Sequence, residues 1–358
     1  MKSVIISPDL TPIQDFFETA SRMRKQPFVL AGMCLLLLLG SLTLAFHAFI
    51  AYRLLHPFVD PLYSNPLKAK NLAYEDVSFS SVNGKTMVNG WYIPAEKSTQ
   101  TVIFSHGYGA NREEYWVPMY DLAEKLHLQN YNVVMFDYGF ASTVKRQVVT
   151  GGKQESQELL GAVKLAKERG AEHIYIWGFS MGAGTALQAA LQTKDISGMI
   201  LDSTFILDPD TLYHNLKNYI NVPKYPSLAL VRWSFPMLNG PSLKQIPIQQ
   251  VKATQYPIPI FMIHSTQDEK APYELAQAIA KNQKKEHDSN FWLVEDSMHE
   301  LIFRMHSDQY LKRTFSFLRG ISDPGDVQLA DKGDGTEAGT NSNNPEQSSG
   351  NIELASMK

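Results

Sequence analysis

Residues 173–192 read HIYIWGFSMGAGTALQAALQ. A short, mostly apolar run (173–177) has the length and composition of a buried strand. It breaks at Gly178-Phe179-Ser180-Met181-Gly182, after which small and apolar residues continue as a helix to residue 192. Strand, tight turn and helix follow one another without a spacer, which places Ser180 at the apex of the turn. Glycines flank the serine because side chains at 178 and 182 would collide with neighbouring backbone.

The same alternation extends on both sides. TVIFS (101–105), NVVMFD (132–137), GMILD (198–202), IPIFMIH (258–264) and NFWLV (290–294) are further short apolar runs. Helical patterns are expected over 112–128, 154–169, 181–192, 273–281 and 299–318. Ahead of them, residues 63–70 read as a linker, and VSFSSVNGKTMVNGWYIP (77–94) reads as two strands joined at Asn83-Gly84, a hairpin dipeptide. Strands alternating with helices predict an α/β domain over 69–322, with a mostly parallel sheet covered on both faces. The alternation lapses over about 205–256. Prolines 223, 226, 236, 241 and 247 lie there among Tyr213, Tyr219, Tyr225, Trp233 and Phe235. A connection this long is usually functional, so the stretch is expected to be a small lid of short helices.

A G-x-S-x-G pentapeptide between strand and helix is a nucleophile elbow; its other reading is a glycine-rich turn with an inert serine. A serine hydroxyl becomes a useful nucleophile only with a base to take its proton and an acid to orient that base. On such a scaffold the chain order is Ser, then Asp or Glu, then His. Asp268, in HSTQDEKAP, follows the strand ending at His264, and His299, in VEDSMHE, follows the strand at 290–294. Both lie at carboxyl ends of strands, where open α/β sheets build their sites. Asp202 also ends a strand and competes with Asp268 as the acid. His264, His287 and His306 compete with His299; their positions at a strand end, in a charged loop and within a helix favour structural roles. An oxyanion needs backbone N–H donors. Met181, first in the helix after Ser180, supplies one. Tyr108, in the turn His106-Gly107-Tyr108-Gly109, is expected to supply the other, with His106 holding that loop.

Residues 28–52 contain no Asp, Glu, Lys or Arg. As a helix they would extend about 37 Å, enough to cross a hydrocarbon core of about 30 Å. The long leader before the run, and the lack of an A-x-A site after it, favour an uncleaved anchor over a signal peptide. Arg22, Arg24 and Lys25 precede the run and Arg53 follows it. The expected orientation therefore has residues 1–27 in the cytoplasm and the large domain outside. Residues 323–358 have no aromatic side chain and are rich in Gly, Asn, Ser and acidic groups, the composition of a disordered acidic tail. The lone cysteine, Cys34, lies in the apolar run, so disulfides, cysteine zinc sites and a thiol nucleophile are excluded from the domain. A net charge of −3 without a basic stripe argues against nucleic-acid binding. There is no metal-ligand cluster or dinucleotide fingerprint, so no cofactor is expected.

SHGYGANRE (105–113), VVMFDYG (133–139), WGFSMGAGTA (177–186), HSTQDEKAP (264–272) and SMHE (297–300) together resemble the α/β-hydrolase superfamily. Single-span, membrane-anchored bacterial members, some described as relatives of prolyl oligopeptidase, are the nearest in appearance. The resemblance covers about residues 77–318. It implies an eight-stranded sheet, a triad of Ser180, Asp268 and His299, and a cap formed by the insertion before Asp268. Asp137-Tyr138-Gly139-Phe140-Ala141-Ser142 departs from the family, where an Arg-Gly pair often follows that aspartate. The expected activity is hydrolysis of an ester, carboxylesterase- or lipase-like, through an acyl-enzyme; the aromatic lid and tether point to a small-molecule or lipid acyl substrate. An extracytoplasmic serine peptidase or amidase is the enzymatic alternative, and a non-catalytic binding protein on the same fold is the other.

Overall fold

The computed structural model describes residues 11–283 and 289–322. The tail read as disordered, residues 1–10 and His287 lie outside the described residues. Helix α1 (Thr11–Leu55) is followed by α2 (Pro66–Lys70), and a single sheet then forms from β1 (Glu75–Ser80), β2 (Met87–Ile93), β3 (Gln100–Ser105), β4 (Asn132–Phe136), β5 (His173–Phe179), β6 (Gly198–Asp202), β7 (Ile260–Ser265) and β8 (Asn290–Val294). Strand order is β1-β2-β4-β3-β5-β6-β7-β8. β2 runs antiparallel to β1 and β4, and every pairing from β4 to β8 is parallel. The crossover helices are α3 (Met119–Leu128), α4 (Glu155–Glu168), α5 (Met181–Ala190) and α9 (Tyr273–Asn282), and α10 (Ile302–Met305) and α11 (Ser307–Ser322) close the fold.

Period-2 alternation divides the strand side chains between two cores. Along β5, Ile174 and Ile176 face a core shared with α4, α5 and α9, while Tyr175, Trp177 and Phe179 face one shared with α3 and α11. Apolar layers on both faces account for the continuous apolar strands in the sequence.

The expected lid contains α6 (Pro209–Tyr219), α7 (Lys224–Met237), a 3₁₀ turn (Leu243–Gln245) and α8 (Ile248–Ala253). It adds Leu212, Leu216, Leu228, Val231 and Phe235 to the first core.

Three local expectations are corrected. The helix expected from residue 112 begins at Met119, because the side chains before it serve distant partners and Pro118 disfavours helical backbone at Val117. Arg112 pairs with Asp137 at 2.7 Å. Glu113 accepts from the backbone N–H groups of Tyr63 and Ser64 at 2.6 Å each. The helix expected over 299–318 starts at Ile302 and breaks at His306, where φ is −132° and ψ is 42°. The stretch 63–70, which reads as a linker, contains α2, whose N-terminus is capped by the Asn65 side chain accepting from Lys68 N–H at 2.8 Å. Packing also begins upstream of residue 69. Ala51, Leu55 and Val59 are buried in the first core, and α1 packs along α7.

Candidate active site

β5 ends at Phe179 and α5 starts at Met181, leaving one residue for the turn. Ser180 takes φ 49° and ψ −116°, a backbone that costs a non-glycine residue free energy. Hydrogen bonds on both sides hold it there: Ser180 N–H donates to Asp202 O at 2.9 Å, and Phe205 N–H donates to Ser180 O at 3.0 Å. A Cβ at Gly182 would lie 1.9 Å from Ser105 O, and one at Gly178 would lie 2.6 Å from Ala183 Cα. Both flanking glycines are therefore required by close backbone packing.

The structure brings Ser180, His299 and Asp268 together. Ser180 Oγ is 2.8 Å from His299 Nε2, and His299 Nδ1 is 2.7 Å from Asp268 Oδ2. A carboxylate only accepts, so Nδ1 carries the proton and Nε2 is left to accept from the serine hydroxyl. Asp268 is fixed on its other oxygen, where Oδ1 accepts from the N–H groups of Lys270 and Ala271 at 2.9 and 2.7 Å. Burial opposes its charge, but hydrogen bonds from His264 and His299, with the electrostatic attraction of the two rings, outweigh burial and hold its pKa well below the usual carboxylate range. Burial likewise opposes imidazolium at His299. The charge of Glu300, and the hydrogen bond and charge of Asp268, reverse the balance and raise its pKa above 6.5.

The rival residues have other partners. Asp202 accepts from Tyr310 Oη at 2.8 Å and Ser203 Oγ at 2.9 Å; burial raises its pKa to about 6 despite those bonds. His306 binds Asp296 at 2.8 Å. His264 has a closer relation to the site, its Nε2 lying 2.8 Å from Ala271 O and 3.3 Å from Asp268 Oδ2, so it braces the acid. His106 holds its loop with both ring nitrogens: Nε2 accepts from Tyr138 N–H at 3.0 Å, and Nδ1–H donates to Gly107 O at 3.0 Å. Burial keeps it neutral, with a pKa of about 4.

Met181 and Tyr108 both line the cavity that contains Ser180. The Met181 N–H lies in the first turn of α5, where N–H groups lack helical acceptors. The turn carrying Tyr108 is pressed against the elbow, since a Cβ at Gly107 would lie 3.5 Å from Ser180 Cβ.

That position would also lie 2.6 Å from Glu114 Oε1 and 2.8 Å from Glu300 Oε1. Sequence reasoning missed this buried acid pair. Gly107 N–H donates to Glu114 Oε1 at 2.8 Å, Trp116 Nε1–H donates to Glu300 Oε2 at 2.7 Å, and Glu300 Oε2 lies 3.7 Å from His299 Nε2. Burial, then the neighbouring Glu300 charge, push the Glu114 pKa well above the carboxylate range. A proton on Glu114 lets the two carboxyl groups bond to one another. The only sequence signal was the position of Glu300 next to His299.

The cavity measures about 510 Å³, within the usual size for ligand pockets. Its wall includes Leu54 and Leu55 from α1, Phe205, Leu207, Leu212 and Asn215 from the insertion after β6, and Glu269 and Lys270. The inserted helices are tied to the Asp268 loop. Asn215 Nδ2 donates to Lys270 O, and Asn218 Nδ2 to Glu269 O, each at 2.7 Å. Tyr138–Ala141, where the sequence departs from the resembled family, is buried and is not part of this wall. Among the described residues no cluster of His, Cys, Asp and Glu has the arrangement to hold a metal ion.

An eight-stranded sheet with one antiparallel strand, β2, next to its edge, a serine elbow after the fifth strand and a helical insertion after the sixth define the architecture. The fold is that of the α/β hydrolases. The family model described as "Serine aminopeptidase, S33" matches residues 96–242. Among solved structures with this α/β-hydrolase fold, an esterase of Pyrococcus furiosus is similar at 24% identity and TM-score 0.60, covering 74% of this chain and 98% of the esterase. An α/β hydrolase of a Penicillium species follows at 18% identity and TM-score 0.54, covering 69% and 98%. A 2,6-dihydroxy-pseudo-oxynicotine hydrolase is similar at 16% identity and TM-score 0.53, covering 70% and 68%. No curated protein matches in sequence.

Proposed function

We propose that the chain is a serine hydrolase that cleaves carboxylic esters through an acyl-enzyme. One observation carries the reading: Ser180 Oγ, His299 and Asp268 form a continuous hydrogen-bonded line at 2.8 and 2.7 Å beside an apolar cavity. His299 Nε2 takes the hydroxyl proton as Oγ attacks the ester carbonyl. The N–H groups of Met181 and Tyr108 receive the oxyanion, and imidazolium then gives its proton to the departing alcohol. Water repeats the sequence on the acyl-enzyme and frees the acid. Asp268 keeps the proton on Nδ1 and stabilises the imidazolium without being protonated itself. Ser180→Ala is expected to lower turnover of a short-chain nitrophenyl ester by on the order of 10⁴-fold or more. Full activity in that variant would refute the reading.

The family description favours a second reading, a peptidase that releases N-terminal residues. The same acyl-enzyme chemistry would act on an amide. Aminoacyl nitroanilides separate the two: the peptidase reading expects turnover of them, and the ester reading expects none beside rapid cleavage of nitrophenyl esters.

We further propose that α1 anchors the chain in a membrane, with residues 1–27 cytoplasmic and the hydrolase domain outside. The stretch Pro27–Leu55 is long and apolar enough to span. A signal peptide passes the same test, but cleavage behind Leu55 would remove Ala51 and Leu55 from the core and Leu54 from the cavity wall. That loss supports an uncleaved anchor.

A further inference from the structure

We propose that the cavity takes its acyl chain from the bilayer, so that the substrate is a membrane-resident amphiphilic ester and the end of the anchor helix forms part of its binding site. This rests on the hydrolase and anchor readings above and goes beyond them by naming where the substrate resides.

Residues 27–46 of α1 are exposed on every side. At ~1.5 Å per residue they form about 30 Å of helix, the thickness of a hydrocarbon core. Burial starts at His47, and Leu54, in the cavity wall, lies eight residues beyond Phe46. That is about 12 Å further along the same helix, at or just above the headgroup level. The lipid-facing helix and the cavity wall are therefore one rigid element.

The joint is specifically bonded. The last carbonyls of a helix lack helical donors. Here Tyr108 Oη donates to Leu54 O at 2.9 Å, and Val149 N–H donates to Leu55 O at 2.9 Å. Both donors belong to residues of the cavity wall. A Cβ on Gly240 would lie within 2.6 Å of Leu55, so the lid closes tightly on the helix end. A tether that only held the enzyme near a membrane would need none of these contacts.

Apolar side chains surround the same joint. Trp233 and Met237 are exposed on α7, which packs along α1, and Phe58 and Tyr63 are exposed just beyond the helix end. Exposed aromatics beside a span are the composition of a membrane interface. They place α7 and the cavity wall formed by Phe235 against the lipid surface.

The test uses the full chain in phospholipid nanodiscs, with a long-chain monoacylglycerol dissolved in the bilayer and nitrophenyl butyrate in the water. The bilayer ester is expected to be cleaved with the higher kcat/KM. Leu54→Trp, which fills the wall, is expected to lower the ratio of bilayer-ester to butyrate kcat/KM by about tenfold or more. Leu54→Ala, which widens the wall, is expected to move the preferred acyl chain longer, and it carries the test if the tryptophan variant does not fold. A chain that reacts with fluorophosphonate and cleaves butyrate, yet leaves the bilayer ester intact or keeps the ratio unchanged in both variants, would overturn the proposal. Absence of fluorophosphonate reaction and of all turnover would remove the hydrolase reading itself, and this inference with it.

Discussion

The Oε2 atom of Glu300 lies 3.7 Å from Nε2 of His299, the nitrogen that faces Ser180. Burial of His299 disfavours its charged form, but the negative charges of Glu300 and Asp268 favour it, and the net effect raises its pKa above 6.5. The base must be neutral to accept the serine proton, so kcat/KM should fall as pH drops through a pKa above the ordinary imidazole value. Glu300→Gln keeps the acceptor for Trp116 and removes the charge. Its acid limb is expected to move to lower pH, measured as the pH profile of kcat/KM on a soluble nitrophenyl ester. A profile that stays in place would show that the Glu300 charge does not act on the base.

Glu114 shapes stability rather than the base. Burial and the Glu300 charge raise its pKa well above 4.5, so the folded state holds a proton that the unfolded state releases. The unfolded chain binds fewer protons between 4.5 and the folded pKa, so this group makes stability fall as pH rises through that window. Glu114→Gln is expected to raise Tm relative to the parent at pH 8 and to match it near pH 4.5, read from thermal unfolding in detergent. Glu114→Leu instead leaves the buried Gly107 N–H without its acceptor, a loss of about 1–3 kcal/mol.

The identity of the acid partner is testable by a pair of substitutions. Asp268→Asn keeps the shape but gives His299 Nδ1 an amide in place of a charged acceptor. It is expected to lower kcat by on the order of 10³–10⁴-fold, the scale of a lost triad carboxylate. Asp202→Asn affects a group bonded to Tyr310 and Ser203, and its kcat should stay within about tenfold of the parent. The opposite ranking would assign the acid to β6.

Truncation tests whether the end of α1 belongs to the domain. A chain starting at residue 47 retains Ala51, Leu55 and Val59 and is expected to fold, whereas one starting at residue 61 loses all three. Burial of each Leu or Val side chain contributes roughly 1.5–3 kcal/mol, a large share of the about 5–15 kcal/mol that stabilises a domain. The shorter chain is expected to aggregate or to melt at a much lower temperature, measured by size exclusion and circular dichroism.

These tests also divide what the sequence displays from what only folding assembles. Ser180, Asp268 and His299 were readable because each follows an apolar strand, and parallel strands deliver their carboxyl ends to one edge. The Glu114–Glu300 pair was not readable. Its members are 186 positions apart, and an acidic residue near an apolar run ordinarily reads as exposed. Residues 112–118 have a helical pattern, but Arg112 and Glu113 bond to Asp137, Tyr63 and Ser64, and those tertiary contacts prevail over local propensity. The role of α1 was hidden for a related reason. A continuous apolar run shows no seam in sequence between the part exposed along its whole surface and its last turn, where Ala51 is buried.

Covalent labelling tests Ser180 as the nucleophile. The full chain is treated with a fluorophosphonate, digested, and the modified peptide identified by mass spectrometry. A single adduct on Ser180 is expected, which disappears in Ser180→Ala and forms far more slowly in a variant lacking the His299 imidazole. Adducts elsewhere, or a folded chain in which Ser180 stays unmodified, would contradict it.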